Sequence, residues 1–337
     1  MKLDMGKEGI KPKVSVIVAT YNQEDTLGAS LDSILAQQCD FLFEIELADD
    51  CSTDGTRRVC EEYVRRYPGI IRYTRNEKNL GCRDNYFDTL LRCRAPYIAD
   101  LAGDDIWIDP TKLARQVEVL DSNPEVTLVH TGWQYMDAVS GTVTPSGYTG
   151  TEKWLRQEIE GSELLEPLVA SVDAMAVHSC TTLYRKEVFM RAYASDKMLF
   201  RSSEFPCEDL QLMVVLAAAG RVAYLPEVTL NYRVGNRSQI TSPADSAKAF
   251  RFYFGTLKLR RYLQKKYGLS SDMVDYANTV LASYVSSRAF AAADSGGIAC
   301  LSTFCRANGI AIPLRTRMKS LLRHTGPLFR FLSKRWR

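Results

Sequence analysis

Short apolar runs recur along the first third of the chain, and they alternate between two periods. VSVIVAT, residues 14–20, is continuously apolar and β-branched apart from Ser15 and Ala19, the pattern of a strand covered on both faces of a parallel sheet. Tyr21-Asn22 breaks it. Over residues 24–38, Leu27, Leu31, Ile34 and Leu35 fall on one helical face. A second strand over 44–48 ends at Asp49-Asp50, and Thr53 or Asp54 can cap the helix that carries Val59, Tyr63, Val64 and Tyr67. A strand over 70–74, a helix over 81–93 and a strand over 96–101 follow, the last ending before Gly103-Asp104-Asp105. Past Asp109-Pro110, a helix on Leu113, Val117 and Leu120 and a strand over 126–132 complete this half. Strands and helices alternating through short connections predict an α/β protein with a parallel, right-handed, doubly wound sheet.

The later chain is less regular. Residues 137–161 are rich in Gly, Ser and Thr and predict a mobile excursion. Residues 208–219 read as an apolar helix, followed by a turn at Gly220, a strand over 221–225 and a loop, NYRVGNRSQIT. From Ala244 onward the spacing of Phe250, Phe254, Leu257 and Tyr262, and then of residues 274–290, is helical. The expected division is a domain over 13–240, with halves 13–132 and 133–240, and a helical region over 241–337.

Charge sharpens the picture at one end. The net charge is +3 over 337 residues, yet residues 314–337 carry eight Lys/Arg and no Asp or Glu; taking those eight away leaves −5 on the rest. Nine cysteines form no CxxC pair, and three histidines offer little for a zinc site, so the thiols read as small hydrophobes in a reducing compartment. The first residues lack an apolar signal core, and the apolar stretch 212–219 is far short of a membrane span of about 20 residues. These features predict a soluble cytoplasmic protein.

The candidate chemistry lies in the acidic clusters. Two parallel strands ending at Asp49-Asp50 and just before Asp104-Asp105 put those carboxylates at one edge of the sheet, where open α/β sheets bind ligands. Carboxylates repel a nucleotide's phosphates unless a divalent cation stands between them. The pattern therefore predicts a metal-dependent nucleotide site.

VSVIVATYNQEDTLGASLDSILAQ, ADDCSTDGT, GDDIWIDPTKL and CEDLQL, in that order, resemble the family 2 glycosyltransferases of the GT-A fold over residues 13–240. The resemblance implies a Rossmann-like, mostly parallel sheet flanked by helices, with a helical C-terminal extension. It implies an inverting transferase of the hexosyltransferase type that uses a nucleoside diphosphate sugar, with UDP-sugar the expected donor and Mn²⁺ or Mg²⁺ the cofactor. Ala19 and Tyr21 would border the base, and Asp50 would accept its ring N–H. Asp104 would bind the ribose hydroxyls and Asp105 the metal. Arg83 would reach a phosphate or the base, or else stand as a solvated cation; Trp107 would wall the sugar pocket or belong to the core. Asp209 takes the place of the catalytic base, with Glu208 the second choice. Attack by an acceptor hydroxyl needs one such carboxylate to take its proton.

One departure stands out. Where the family's Tyr-Arg-Val-His loop offers a metal-binding His, this chain has Gly235, leaving Asn236, Arg237 or Ser238 to meet the pyrophosphate. His130 reads as structural, and His178 as structural or as lining the acceptor site.

A saccharide or lipid-linked acceptor in cell-surface polysaccharide synthesis is expected, with no nucleic acid partner. Residues 314–337 interleave their cations with Leu, Phe, Met and Trp, as in helices that lie on anionic membranes, and would hold the enzyme at the inner face of the plasma membrane. Two other readings compete. A sugar-nucleotide nucleotidyltransferase would want a Gly-rich basic loop after the first strand, where this chain has ATYNQEDTL. A non-catalytic binding subunit draws support from Gly235 alone.

Overall fold

The computed structural model describes residues 11–146, 152–171, 176–235 and 245–312, together with positions 317, 318, 321, 322, 325 and 332. The first apolar run becomes a central strand. β1 (Val14–Thr20) lies in parallel between β2 (Phe43–Asp49) and β4 (Tyr97–Asp100), and β3 (Ile71–Arg75) pairs in parallel beyond β2. Val14, Val16, Ile17 and Val18 are all buried, so both faces of β1 are covered. The connections are α1 (Leu27–Leu35), α2 (Thr56–Arg66) and α3 (Cys82–Arg92). At α2 the N-cap is Gly55, with no side-chain cap, rather than the expected Thr53 or Asp54; Asp54, one residue earlier, accepts the Thr56 N–H at 3.0 Å.

Beyond β4 the sheet is mixed. Its order is β3-β2-β1-β4-β9-β6-β10-β5, with β5 (Ile106–Trp107), β6 (Val126–Asp137), β9 (Leu183–Arg185) and β10 (Arg221–Val234). β6 and β10 are parallel, while β9 runs antiparallel to both β4 and β6. β7 (Val143–Pro145) pairs with β6, and β8 (Glu158–Glu160) with β10, so part of the expected excursion is sheet edge.

β10 also corrects the expected loop at NYRV. Its ladder with β6 slips between Leu225 and Val228, around Pro226, which has no N–H to give. Pairing then resumes from Leu230 to Val234. This brings Arg233 beside the Asp105 loop.

α4 (Lys112–Ser122), α5 (Ser162–Ala170), α6 (Lys186–Ser195), α7 (Lys197–Arg201) and α8 (Asp209–Ala218) complete the helices of this half. The chain divides into two compact units. One comprises Met1–Leu165, Ala176–Arg201 and Cys207–Asn236; the other comprises Glu166–Met175, Ser202–Pro206 and Arg237–Arg337.

The second unit is built from α9 (Ser246–Tyr267), α10 (Asp272–Ala291) and α11 (Ser295–Ala307), capped by Asp245, Ser271 and Asp294. Leu257, Val285, Phe290, Ile298 and Leu301 form its core. Leu322 and Leu332 pack against that core, whereas Met318 and Leu321 are exposed. The other apolar residues of 314–337, like Asn236, Arg237 and Ser238, lie outside the described residues. Among the described residues no helix is long and apolar enough to cross a membrane. All nine cysteines are free thiols.

Candidate active site

The edge formed by the ends of β1, β2 and β4 is stitched together by its loops. Ala19 pairs with Ala48 and Thr20 with Asp49, and the Asp50 N–H donates to the Thr20 carbonyl at 2.9 Å. Asn22 adopts a positive φ of 52°. Its N–H donates to Ser52 Oγ at 3.0 Å, and its Oδ1 accepts from the Thr53 N–H at 2.8 Å. Ala19, Tyr21 and Asp50 are thereby gathered at one corner of the sheet.

At that corner Asp50 is 2% exposed, and its carboxylate is occupied. Oδ1 accepts from the Leu80 N–H at 2.8 Å and Asn76 Nδ2 at 2.9 Å, and Oδ2 from the Gly81 N–H at 2.8 Å. Asn79 Nδ2 donates to the Asp50 carbonyl, and Asn85, itself an acceptor for Asn76, donates to Ala48. Asp50 therefore builds the head of α3. Each carboxylate oxygen has two lone pairs, so Oδ2 retains an acceptor position for a ring N–H. Asp49 is a structural anion, held by the Ser52 N–H, Tyr73 and Arg75. Arg83 turns its guanidinium on Asp84, at 3.0 and 2.7 Å.

Asp104 and Asp105 occupy a different environment. The turn after β4 is closed by the Asp105 N–H on the Ala102 carbonyl at 3.1 Å, and it is gripped from three sides. Thr26 Oγ1 donates to the Gly103 carbonyl at 2.8 Å, the Ala102 N–H points at Cys180 Sγ at 3.3 Å, and the Arg233 N–H donates to Asp105 Oδ1 at 2.9 Å. A Cβ at Gly103 would stand 2.5 Å from Gln23 Oε1 and 3.1 Å from Thr20 Oγ1, so a larger residue there would push the Gln23 side chain aside. Burial pushes both carboxyls above the ordinary range, and the charge of Asp104 pushes Asp105 further. Arg233 offsets both in part, helped by Gln23 at Asp104 and by Cys180 at Asp105. Negative charge on the pair is thus left unbalanced by its protein neighbours, and without a cation burial and mutual repulsion hold the carboxyls back from ionising. Hard oxygen donors with uncompensated charge fit a divalent cation. Among the described residues no group of three or more His, Cys, Asp or Glu is arranged around a metal position.

Gly235 ends β10 with φ +87°, a conformation that a His would adopt only under strain. The loss of the histidine and the local backbone therefore go together.

Glu208 and Asp209 sit at the start of α8. Asp209 Oδ1 accepts the Leu210 N–H at 2.7 Å. Burial, followed by the charge of Asp209, raises the Glu208 carboxyl, and a hydrogen bond from the Cys82 thiol opposes the rise. The head of α3 consequently touches both acidic sets, Asp50 through the Leu80 and Gly81 N–H groups and Glu208 through Cys82.

Sequence reasoning missed a buried polar layer behind the Asp104-Asp105 turn. Tyr86 donates to Asp100 at 2.7 Å and lies 2.8 Å from the Tyr184 hydroxyl. Lys112, wholly buried, donates to Gln116 Oε1 at 2.8 Å and stands 4.1 Å from the Trp107 ring centroid. Burial raises Asp100 to about 7 and lowers Lys112 to about 7. Trp107, 4% exposed, donates Nε1 to the Cys180 carbonyl at 2.8 Å and is a core residue. The available signal was Lys112 and Gln116 at i,i+4, alongside the Leu113, Gln116, Val117 and Leu120 face that turns inward. His178 is buried against Trp133 and Tyr232, its Nδ1 accepts the Cys180 N–H, and burial lowers it to about 3. His130 is likewise buried, beside Tyr224, and lowered to about 4.

A mixed α/β sheet with acidic turns at its carboxyl edge is the GT-A arrangement. Its solved examples include Staphylococcus aureus TarS residues 1–349 in complex with UDP-GlcNAc (TM-score 0.60, 20% identity, 96% of this chain and 88% of that one). The mannosyltransferase PcManGT from Pyrobaculum calidifontis, in complex with GDP-Man and Mn²⁺, has the same fold (TM-score 0.54, 16% identity, 96% and 88% covered). The glycosyl transferase family 2 model matches residues 15–192, and the chain belongs to that family. An uncharacterized glycosyltransferase of Methanocaldococcus jannaschii is 29% identical over 250 residues, 74% of this chain and 79% of its own. The putative glycosyltransferase EpsE of Bacillus subtilis is 37% identical over 126 residues, 37% and 45% of the two chains. An uncharacterized protein of Mycobacterium tuberculosis is 42% identical over 115 residues, and the match spans only 33% of its length.

Proposed function

We propose that the protein is an inverting glycosyltransferase that moves a sugar from a UDP-sugar to a hydroxyl of a glycan or lipid-linked saccharide in cell-surface polysaccharide synthesis. The observation that carries this reading is the Asp104-Asp105 pair at the carboxyl edge of the sheet, Asp105 buried and both carboxyls raised because their neighbours do not balance their charge. Family membership, and neighbours solved with UDP-GlcNAc and with GDP-Man and Mn²⁺, support it.

In this reading Asp105 holds Mn²⁺ or Mg²⁺ and Asp104 the ribose hydroxyls, while Asp50 accepts the base's ring N–H on its remaining lone pair. Ala19 and Tyr21 border the base, and Arg83 exchanges Asp84 for a phosphate. When bound, the cation neutralises charge on the departing diphosphate. Asp209 takes the acceptor's proton, because Glu208, held neutral by burial and bonded to Cys82, is the poorer base at neutral pH. A uracil or thymine suits a carboxylate that can only accept.

The eight cations of residues 314–337 support contact with an anionic membrane at the cytoplasmic face. Leu322 and Leu332, packed on the helical core, leave Met318 and Leu321 as the described apolar side chains free for it.

The test is incubation with a panel of nucleoside diphosphate sugars and Mn²⁺. Slow release of UDP is expected; conversion of the sugar nucleotide to a nucleoside triphosphate and a sugar 1-phosphate on addition of pyrophosphate would indicate a nucleotidyltransferase, and binding without turnover a non-catalytic subunit. Asp209→Asn should lower UDP release by about a thousandfold while leaving calorimetric UDP–Mn²⁺ affinity within about twofold. Equal loss of binding and turnover would overturn the role given to Asp209.

A further inference from the structure

Beside the acidic pair lies a group of aromatic rings that the proposed reaction has not yet used. β6 and β10 are in register, with Trp133 opposite Leu230 and Tyr135 opposite Tyr232. Alternate residues of a strand share a face, so Trp133, Tyr135, Leu230 and Tyr232 stand on one side of the sheet. The inner end is closed: Trp133 is 2% exposed, and the buried His178 ring lies 5.2 Å from it and 4.6 Å from Tyr232. Tyr135 and Tyr232 are half-buried, their centroids 6.0 Å apart and their planes inclined at 44°.

Two further observations point to a ligand. Tyr232 directly precedes Arg233, whose N–H holds Asp105, so it stands beside the acidic turn. Among the described residues, neither the Tyr135 nor the Tyr232 hydroxyl has a hydrogen-bond partner. Two firmly backed rings whose hydroxyls have no partner among the described residues have the chemistry of a sugar site. The rings offer an apolar face to the C–H groups of a pyranose, and the phenols can bond its hydroxyls.

We propose that Tyr135 and Tyr232 form the platform on which a pyranose ring rests next to the Asp104-Asp105 turn. This inference builds on the nucleotide-sugar reading. The transferred sugar of the donor and the first sugar of the acceptor present the same face to such a platform, and the experiment separates them.

Tyr135→Leu, Tyr232→Leu and Tyr232→Phe variants of the full chain are titrated by calorimetry with UDP, with UDP-GlcNAc and UDP-glucose, and with a methyl glycoside at saturating UDP, all with Mn²⁺. Thermal melts report folding. Expected is a loss of about tenfold in affinity for the UDP-sugars in the Leu variants, with UDP unchanged and a smaller loss in Tyr232→Phe. A loss confined to the methyl glycoside also supports the platform and assigns it to the acceptor. Unchanged affinities for UDP-sugar and glycoside in both Leu variants, with UDP bound normally, overturn the platform alone. A wild-type protein that binds neither UDP nor UDP-sugar overturns the underlying reading and the platform with it.

Discussion

Asp50 and Asp105 are almost equally buried, at 2% and 1% exposure, and each stands in a loop at the carboxyl end of a parallel strand. Their surroundings differ in kind. Asp50 receives three hydrogen bonds from the loop before α3, two of them from backbone N–H groups, and no carboxylate beside it draws on those same donors. Asp105 receives one backbone hydrogen bond and faces Asp104, so burial and repulsion both work against its charge. The same acidic doublet in sequence thus yields a fastening in one loop and an unbalanced charge in the other. A charge met by several hydrogen bonds from its own loop holds the fold and keeps only a lone pair for a ligand; one met by a single backbone bond and repelled by its neighbour is available to a cation.

The comparison can be broken first at Asp50. Asp50→Ala strands the Leu80 and Gly81 N–H groups and Asn76, each a bond to a charged acceptor worth about 1.5–3 kcal/mol. A loss of about 3 kcal/mol or more is expected, read as a lower urea midpoint. A variant as stable as wild type would mean that the Asp50 network is not a fastening.

Next in size is the polar layer behind Asp105. Asp100 is raised from 3.8 to about 7, so the native state keeps a proton that the unfolded chain releases, and its contribution falls as pH rises across that window. Lys112 is lowered from 10.5 to about 7, so above pH 7 the unfolded chain binds the extra proton and its contribution rises with pH. Denaturation from pH 4 to 10 should therefore show Asp100→Asn flattening the acid limb and Lys112→Met the alkaline limb, each by up to about 1 kcal/mol per pH unit. Unchanged profiles would place both groups in water-like surroundings.

The smallest effect is expected at Gly235. Gly235→His should cost about 1 kcal/mol in a thermal melt, because φ is +87° there, and should not tighten Mn²⁺. Tighter Mn²⁺ would mean that the β10 end relaxes to restore a histidine ligand.

The strands beneath these sites were legible because 14–20 is a continuous, largely β-branched run and 44–48 and 96–101 are short, strand-like stretches that lead into acidic loops, a pattern with few alternatives. NYRV was read as loop because Pro226 and the polar Asn231 and Arg233 hide a strand whose ladder is supplied by β6. The antiparallel β9 is three residues long and carries no period. The positions of the acidic turns followed from the strand ends, but their opposite electrostatics did not. Asn76, Asn79 and Asn85 look like ordinary loop polars until the N–H groups around Asp50 are located. Asp100 and Lys112 are charges in apolar surroundings, a placement that only the packing reveals.

The account rests on the claim that Asp105 is a carboxyl whose charge only a cation balances, and Asp105→Asn tests it most directly. The amide keeps an acceptor for the Arg233 N–H and cannot take up that charge. Calorimetry of UDP with and without Mn²⁺, paired with a thermal melt of the ligand-free protein, should show an unchanged or higher melting temperature and the loss of Mn²⁺-dependent UDP affinity by about a hundredfold or more. A variant that binds UDP–Mn²⁺ as tightly as wild type, or melts well below it without ligand, would contradict the account.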